Sequence, residues 1–538
     1  MSLTPTYPGI YIEEILSNAN TVQAAPTSVT VFVGYTHPFK TPPQNFGVPV
    51  QLFGFSDYQR QFGGLFNVDW LADEVGRAVY QFFLNGGTIA YVVSTNSATT
   101  PQFNLLAGGT PQQIEPPVLT LEDGAGDGVI FTGLEPTDSY HTLTVSITNV
   151  RKTNIANDTA DIVLAYGSRT EVYRKVVLDP LGHGGTLPAQ VGTQQAPVSA
   201  LVTVAPGSTG NYYTTWPGAL APTQLVMNFP ATPYTTYSPG DFANAFAEDY
   251  PLDKLSIFNL LATPGVWDNG VVSEGLAFCE RKLAFMVVDP PAEAVADLTG
   301  YPLPMIGNIM AGNVPGITVP LSSNGALYFP YLQTTDPSTN AVLAVPPSGY
   351  VTGIMAREDT NRGVWKAPAG LETTLNNVDS VVPGGQMTDM RQGTLNPIGV
   401  NCIRTFPGAG TVVFGARTLV TANPAFQQYW YVPVRRMALF IEQSLRQSLP
   451  WVIFEPNDTP LWVSIRTEVQ NFMLGLFNNG ALQGSKPSEA FQVLCDSTTT
   501  TPTDQANGRV NIVVAFAPLK PAEFVILKIA QLAGQTQS

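Results

Sequence analysis

The stretch PVRRMALFIEQSLRQSLP, residues 433–450, predicts an amphipathic helix with a proline at each end. Its apolar residues recur at helical spacing, so one face is expected to pack on a core. Pro433 suits a first helical turn and Pro450 suits a helix end, while Glu442 and Arg446 form an i,i+4 pair. The apolar stripe consists of Val434, Met437, Ala438, Ile441, Leu445 and Leu449.

A second helix and three short strands are predicted after this helix. The second helix starts at Thr459-Pro460, buries Trp462 and Ile465, and stops at Asn479-Gly480. Strands are predicted at residues 490–495, 510–517 and 523–529. The simplest arrangement is α+β, with the two helices lying on a small antiparallel sheet. The last strand lies almost at the end of the chain, where it is free to be exchanged.

The other end of the chain also predicts a strand without a local partner. Residues 7–15, YPGIYIEEI, favour a strand, and residues 17–25 favour a flexible linker of small and polar residues. An isolated strand leaves its backbone polar groups unsatisfied. It must therefore pair with a sheet of its own chain or of another.

Between these ends the sequence predicts an α/β core interrupted by an insertion. Buried strands alternate with a helix over residues 26–94, and the same pattern resumes over residues 250–400. Residues 95–249 are rich in Thr, Pro, Gly and Tyr and alternate like antiparallel strands. We therefore expect five segments: a strand and linker (1–25), a split core (26–94 and 250–400), a β-rich surface insertion (95–249), a C-terminal domain (401–520) and a C-terminal arm (521–538).

Composition favours a protein that associates with itself. Only 12% of the 538 residues are charged while 44% are hydrophobic, and a surface short of charge has few ways to resist association. The net charge of −15 argues against nucleic acid or an anionic membrane as partner, because both need a basic footprint. Residues 401–538 differ, with ten basic and eight acidic side chains, so this part is expected to face a different partner.

The remaining composition favours folding in a cytoplasm without a metal or disulfide framework. An export signal and an uninterrupted apolar stretch of about 18 residues are both missing, so no direct membrane insertion is expected. Cys279, Cys402 and Cys495 lie far apart and are expected to be small buried apolar residues.

Motifs that resemble catalytic sites are better explained by structure. His183 lies in a Gly-rich segment, but no GxSxG elbow accompanies it. Residues 408–410, Gly-Ala-Gly, lack the third glycine of a dinucleotide fingerprint and are expected to form a tight turn. Asp123 and Asp127 do not complete a calcium loop, and no P-loop is present. The sequence therefore predicts no cofactor and no enzymatic activity.

Several blocks of the sequence, taken together, carry a resemblance to a known family. The blocks are YPGIYIEE, PTSVTVFVGYT (26–36), FFLNGGTIAYVV (82–93), VPPSGYVTGIMAREDTNRGVWKAPAG (345–370), LNPIGVNCIRTFPGAGTVVFGARTL (395–419), VRRMALFIEQSLRQSLPWVIFEPND (434–458) and PAEFVILKIAQ (521–531). With the segments that connect them, they span most of the chain except roughly residues 95–250. In this order they resemble the tail sheath protein family of contractile phages, R-type bacteriocins and extracellular injection particles.

The resemblance implies a structural subunit that forms stacked hexameric rings around an inner tube and contracts to drive the tube through a cell envelope. It implies that strands from neighbouring subunits complete each C-terminal sheet. The implied partners are other copies of the chain, the inner tube, the baseplate and the tail terminator. The residues expected to exchange are Tyr7, Ile10, Tyr11, Ile12 and Glu13 at one end, and Glu523, Phe524, Val525, Ile526 and Leu527 at the other.

Two further expectations follow from that resemblance. Arg435, Arg436 and Arg446 are expected to contact an acidic inner tube, the alternative being that they solvate helix faces. Assembly is expected in the cytoplasm of a producing bacterium or archaeon, before the subunit becomes part of a virion tail or a phage-tail-like particle. The alternative function is a static terminator or baseplate ring of the same kind of particle.

Overall fold

The computed structural model describes residues 21–37, 41–66, 73–95, 104–107, 110–113, 117–134, 142–152, 158–167, 169–177, 186–213, 216, 218–226, 239–291, 310, 320–337, 340–381, 387–421 and 423–528. The strands are, in chain order, β1 Thr30–Gly34, β2 Val50–Leu52, β3 Ala90–Ser94, β4 Asn104–Ala107, β5 Thr110–Gln113, β6 Val118–Glu122, β7 Gly128–Gly133, β8 Leu143–Arg151, β9 Thr159–Tyr166, β10 Arg169–Val177, β11 Val202–Pro206, β12 Leu220–Gln224, β13 Leu260–Ala262, β14 Phe285–Val288, β15 Gly325–Phe329, β16 Leu332–Thr335, β17 Val342–Val345, β18 Ser380–Val381, β19 Val400–Phe406, β20 Gly410–Val413, β21 Phe491–Leu494 and β22 Val513–Phe516.

The helices are α1 Phe55–Phe62, α2 Glu74–Leu84, α3 Leu187–Val191, α4 Pro239–Phe246, α5 Asn269–Lys282, α6 Ser348–Asn361, α7 Asp389–Leu395, α8 Val432–Ser448, α9 Thr459–Asn478, α10 Pro487–Ala490 and α11 Pro502–Ala506. This is a mixed α/β chain with several sheets, as the sequence predicts. The 433–450 stretch forms α8, with Pro433 in its first turn.

An eight-stranded sheet forms the centre of the molecule, in the order β2-β3-β1-β13-β14-β15-β19-β20. Six neighbouring strands, from β3 to β19, run parallel, and the two edge strands are antiparallel to their neighbours. Alternate residues of β14 pack on opposite faces: Met286 and Val288 join the cluster around α5, whereas Phe285 and Val287 join the cluster around α6. Helices thus cover both faces of the sheet, which explains why its strands are continuous apolar runs.

Residues between β3 and α4 form separate antiparallel sheets. The four-stranded sheet β10-β9-β8-β12 and the three-stranded sheet β11-β7-β6 share one apolar core. Trp216 is fully buried in that core and donates its indole N–H to the carbonyl of Val176 at 3.2 Å. Side chains of both sheets, such as Phe131 and Ile162, meet there, as in a β-sandwich.

The predicted boundary at residue 400 is wrong. β19 pairs in parallel with β15, with Val400 opposite Leu327, and β20 pairs with β19. Both strands therefore belong to the central sheet, although most of their residues fall within the predicted C-terminal domain. Sheet membership is decided by hydrogen bonds to a strand far away in sequence, which local pattern does not reveal.

Helix α8 is joined to the central sheet through buried polar side chains. Arg436 donates to both carboxylate oxygens of Asp359 on α6, at 2.9 and 2.6 Å, and to the carbonyl of Thr27 at 3.0 Å. The side chains of this ion pair are 3% and 2% exposed. Gln443 and Asn259 bond each other at 2.6 Å, and Gln443 also donates to the carbonyl of Phe258. A buried charge without its partner is costly, so this junction fixes α8 against the sheet.

Replacing Asp359 by alanine is expected to lower the free energy of unfolding by about 3–5 kcal/mol, because Arg436 is left buried and uncompensated. The measurement is urea unfolding of the purified chain. Arg60→Ala, which removes an exposed pair with Asp57, is the control and should cost less than about 1 kcal/mol. An equal cost for the two variants would contradict the importance of the buried pair.

Candidate inter-subunit interface

The most unusual surface is the C-terminal arm, of which residues 521–528 are described. It follows β22 without regular secondary structure. Four consecutive apolar side chains, Phe524, Val525, Ile526 and Leu527, are 73%, 80%, 80% and 81% exposed. A run of large exposed apolar residues of this kind marks an interaction site.

The base of the arm is held by one acidic side chain. Glu523 accepts hydrogen bonds from Arg417 Nε at 2.8 Å and Arg417 Nη2 at 2.5 Å, and from Asn396 Nδ2 at 2.9 Å. Tyr431 donates to the same carboxylate at 3.3 Å. Burial by itself raises the pKa of Glu523, but these hydrogen bonds outweigh it and the pKa lies below its ordinary value. The arm therefore leaves the molecule from a fixed point.

The predicted third strand of the C-terminal sheet is not formed in this chain. Among the described residues this sheet consists of β21 and β22, paired antiparallel with Phe491 opposite Phe516. Residues 523–528 have no regular secondary structure and, within the described part of the chain, no ladder partner. Helix α9 covers one face of the pair through Ile465 and Val469, which share a cluster with Val493. A two-stranded sheet is marginal alone, and its open edges accept further strands.

The predicted exchange residues at the other end, Tyr7, Ile10, Tyr11, Ile12 and Glu13, lie outside the described residues. The described part of the predicted flexible linker, residues 21–25, is docked on the protein. Ser448 Oγ accepts from the Gln23 N–H and Ser444 Oγ accepts from the Ala25 N–H, both at 2.9 Å. Ala25 is buried beside α8. The linker prediction is therefore wrong for these residues, because two serine hydroxyls on α8 fix their backbone.

The structure also corrects the prediction for two of the three tube-contact arginines. Arg436 is buried in the pair with Asp359. Arg435 is 9% exposed, donates to Asn324 at 3.1 Å and lies 4.8 Å from the centre of the Tyr429 ring. Both guanidinium groups are therefore engaged within the chain. Arg446 is exposed near the end of α8 and remains available.

The histidines and the Gly-Ala-Gly segment that resemble parts of catalytic sites have structural roles wherever the structure describes them. His183 and His141 lie outside the described residues, and His37 is buried 5.4 Å from the ring of Phe66. The predicted tight turn at residues 408–410 is confirmed between β19 and β20, with positive φ angles at Gly408 and Gly410.

The carboxylates of Asp123 and Asp127 accept hydrogen bonds from the chain itself. Asp123 accepts from the backbone N–H groups of Ala125 and Asp127, and Asp127 accepts from Thr209. In the described ranges no cluster of His, Cys, Asp and Glu suits a metal ion. None of the helices described there combines the length and apolar character that a bilayer crossing requires.

Buried carboxylates of the core cap helices. Asp73 accepts from the N–H of Gly76 at 3.0 Å at the start of α2, and Asp289 accepts from the N–H and hydroxyl of Ser348 at 2.8 and 2.7 Å at the start of α6. Burial raises the pKa of each to about 6. These bonds satisfy helix N–H groups that have no intrahelical partner. Cys279, Cys402 and Cys495 are buried free thiols, as predicted.

Comparison with protein families assigns most of the chain after residue 251. The model of the phage tail sheath protein central domain matches residues 252–419, which include β19 and β20, and the model of the phage tail sheath C-terminal domain matches residues 425–531. Together the two matches cover about half of the chain. The chain belongs to the phage tail sheath protein family. The predicted resemblance is therefore confirmed, and the second match includes the exposed arm.

Individual relatives of this sheath family member are distant. The tail sheath protein of Vibrio phage KVP40 is 24% identical over 290 residues, which cover 48% of this chain and 40% of the relative. The chain spans less than half the length of the curated relatives it matches. The contracted sheath complex of PVC, an extracellular contractile injection system, has the same fold, with a TM-score of 0.57, 21% identity, and 98% and 99% of the two chains covered. The contracted helical sheath of the anti-feeding prophage has a TM-score of 0.54 and 23% identity, with 98% of this chain and 100% of that chain covered.

The anchor of the arm is expected to depend on pH. A carboxylate with a lowered folded-state pKa adds stability above its unfolded value and loses that contribution as pH falls through the folded value. Glu523→Gln should therefore lower the free energy of unfolding by about 1–2 kcal/mol at pH 7, and this difference should shrink below pH 4.5, the ordinary value for glutamate.

Urea unfolding of the wild type and Glu523→Gln across this pH range measures the effect. Asp389→Asn removes a carboxylate that is 94% exposed and also pairs with an arginine, so it serves as the control. A difference between wild type and Glu523→Gln that stays constant with pH would contradict the anchor.

Proposed function

We propose that this chain is the structural subunit of a contractile tail sheath, which polymerises as stacked hexameric rings around an inner tube. Family membership supports this role, and the relatives that share the fold are sheaths in a contracted state. The subunit acts through packing and without catalysis. Contraction of the stack drives the tube through a target envelope, and the energy is the difference between two packings of the same surfaces.

The observation that carries the proposal is the unpaired C-terminal arm. Residues Phe524 to Leu527 expose four apolar side chains, while the pair β21 and β22 gains no further strand from the described part of the chain. Each main-chain hydrogen bond formed by strand addition contributes about 0.5–1.5 kcal/mol net. In the proposed polymer the arm of one subunit, Glu523 to Leu527, pairs with the C-terminal sheet of a neighbour and its apolar side chains become buried.

The N-terminal segment is proposed to exchange in the same way. Tyr7, Ile10, Tyr11, Ile12 and Glu13 form the donated strand, and residues 21–25 are held by Ser444 and Ser448 on α8. A donated segment therefore starts from a fixed point at each end of the chain, as Glu523 fixes the other. The junctions between subunits persist while the subunits rotate.

The division into an N-terminal strand and linker, a split core, a surface insertion, a C-terminal domain and a C-terminal arm is proposed with two changes. The core extends through β20, which ends at Val413, and residues 21–25 are docked on α8. Partners are proposed to be the inner tube, the baseplate and the tail terminator, with assembly in the cytoplasm of the producing cell. The tube contact now depends on Arg446, since Arg435 and Arg436 are engaged within the chain.

Electron microscopy of the purified chain tests the function. Long striated tubes are expected in negative stain. A terminator or baseplate component would stop at single rings, and a chain that stays dispersed at every concentration would overturn the proposal.

Strand exchange is tested by removing backbone donors from the arm. Val525→Pro combined with Ile526→Pro removes two consecutive N–H groups, one of which must point toward any partner strand. Tube yield is expected to fall about tenfold or more, because ladder bonds are lost at every junction. Val525→Ala combined with Ile526→Ala keeps the backbone donors and is the matched control. Deleting residues 1–16, or all residues after Lys520, should likewise give folded subunits without tubes, and normal tubes from the proline variant or from either deletion would refute strand exchange.

Arg446→Glu is expected to weaken co-assembly with an acidic inner tube while sheath self-assembly is retained, because only the tube contact uses this charge. Co-sedimentation of tube protein with the sheath measures it. Arg60→Glu makes the same change of charge on α1 and should leave co-sedimentation unchanged. Equal binding by the two variants would remove Arg446 from the tube contact.

A further inference from the structure

The loop between α8 and α9 carries a fully exposed apolar projection. Phe454 is 103% exposed and Ile453 is 63% exposed; these two residues are called the knob. Phe454 has a φ of 72°, in the left-handed region. A bulky residue in that region costs about 1–2 kcal/mol. Such strain at a solvent-exposed aromatic residue points to a function for the projection.

The knob is held in a rigid loop. The N–H groups of Ile453 and Glu455 donate to the carbonyls of Pro450 and Val452 at 3.1 and 3.2 Å. Asn457 accepts from the indole N–H of Trp462 at 2.9 Å, so the loop is fastened to the first turns of α9. The projection is thus presented in one orientation.

A cavity of about 480 Å³ lies at the base of the C-terminal arm. This is within the range of about 300–1,000 Å³ that is usual for binding pockets. Its walls come from residues 367–370, α7, the end of β20 and residues 521–524. Small residues leave it open, and the rings of Phe414 and Tyr431 line it. The cavity is therefore suited to an apolar group of the size of an aromatic side chain.

One polar group in the cavity has an unused hydrogen-bond donor. Arg404 gives its two terminal nitrogens to Gln392 and Asp389, both at 2.7 Å, and lies over the Phe414 ring. Its Nε is buried and, among the residues that the structure describes, has no acceptor. Glu455, next to the knob, is exposed and acidic. The cavity also contains the carboxylates of Asp389 and Glu523, each paired with an arginine. The match between knob and cavity is therefore one of apolar character, and Glu455 offers an acceptor for the unused donor.

We propose that the knob of one copy enters this cavity of a second copy. This rests on the proposed function, because the occupant is another subunit of the same polymer. The knob and cavity are different surfaces of one chain, so the contact is heterologous and generates rings or helices.

The position of the knob favours this occupant. Asn457 donates to the carbonyl of Arg509, and Gln505 donates to the carbonyl of Asn457. The knob loop is therefore fastened to the segment that leads into β22. When the arm runs parallel to β22 on the neighbour's sheet, the base of the arm, where the cavity lies, comes next to the start of β22 and therefore next to the neighbour's knob.

Cysteine cross-linking tests the contact. Phe454→Cys and Gly393→Cys chains are purified separately, mixed in equal amounts under assembly conditions and oxidised. Gly393 lines the cavity, and a Cβ added there meets no atom within 4 Å. The native thiols are all buried, so a disulfide-linked dimer is expected from the mixture and from neither chain alone. Phe53→Cys, at another exposed apolar position, replaces Phe454→Cys in the control mixture. Cross-linking no greater than in this control overturns the contact.

A second variant separates assembly from folding. Phe454→Gly relieves the left-handed strain and should keep or raise the melting temperature. It is expected to raise the critical concentration for tube formation about tenfold or more, the usual effect of losing one buried aromatic side chain. An unchanged critical concentration overturns the contact but leaves the sheath function intact. Absence of tubes from the wild type overturns the sheath function and this contact with it.

Discussion

The buried pair of Arg436 and Asp359 joins the C-terminal part of the molecule, through α8, to the central sheet, through α6. The proposed contacts between subunits are made by groups on these two parts. Arg436 also donates to the carbonyl of Thr27, so one guanidinium connects α8, α6 and the segment that enters β1. The neighbouring amides of Gln443 and Asn259 bond each other and the backbone of the sheet. Separating α8 from the sheet would break these buried bonds and leave the charges unpaired, which costs several kcal/mol. Motion in an assembly is therefore cheaper between copies than within one.

The helices of the C-terminal part could be predicted closely because their end signals are local. Pro433 and Pro450 bracket α8, and Asp458 caps α9 by accepting from the Thr459 N–H. The sheet boundary could not be predicted this way. Val400 is paired with Leu327, and a short apolar run carries no mark of the distant strand that receives it. The exchange of the arm was predicted from its position at the terminus, and the described residues agree only in leaving it unpaired.

Most of the wrong predictions concern polar side chains whose hydrogen-bond partners lie far away in the sequence. Arg435 and Arg436 stand beside an apolar stripe in the sequence and were expected at a surface, yet their acceptors, Asn324 and Asp359, lie far away along the chain. The serines at 444 and 448 look like solvent-exposed helix positions, yet they hold the backbone of residues 23 and 25. No role was predicted for the knob, although it lies in the sheath-like block 434–458. The sequence does contain a signal for it. Two large apolar residues stand directly before Glu455-Pro456 and outside both helices, which indicates an apolar group on a loop.

The isolated chain is incomplete in a specific sense. It leaves four apolar side chains of the arm, a strained phenylalanine and two open sheet edges in water at once. Each is unfavourable alone, because exposed apolar surface and unpaired strand edges promote association. Their cost is tolerable because the core is independent of them: the central sheet is covered on both faces, and in the described part of the arm the side-chain bonds to the rest of the molecule are those of Glu523. In the proposed polymer, a subunit with a complete core and incomplete edges folds first and then associates, and the 12% charged composition gives its surface little repulsion to oppose that step.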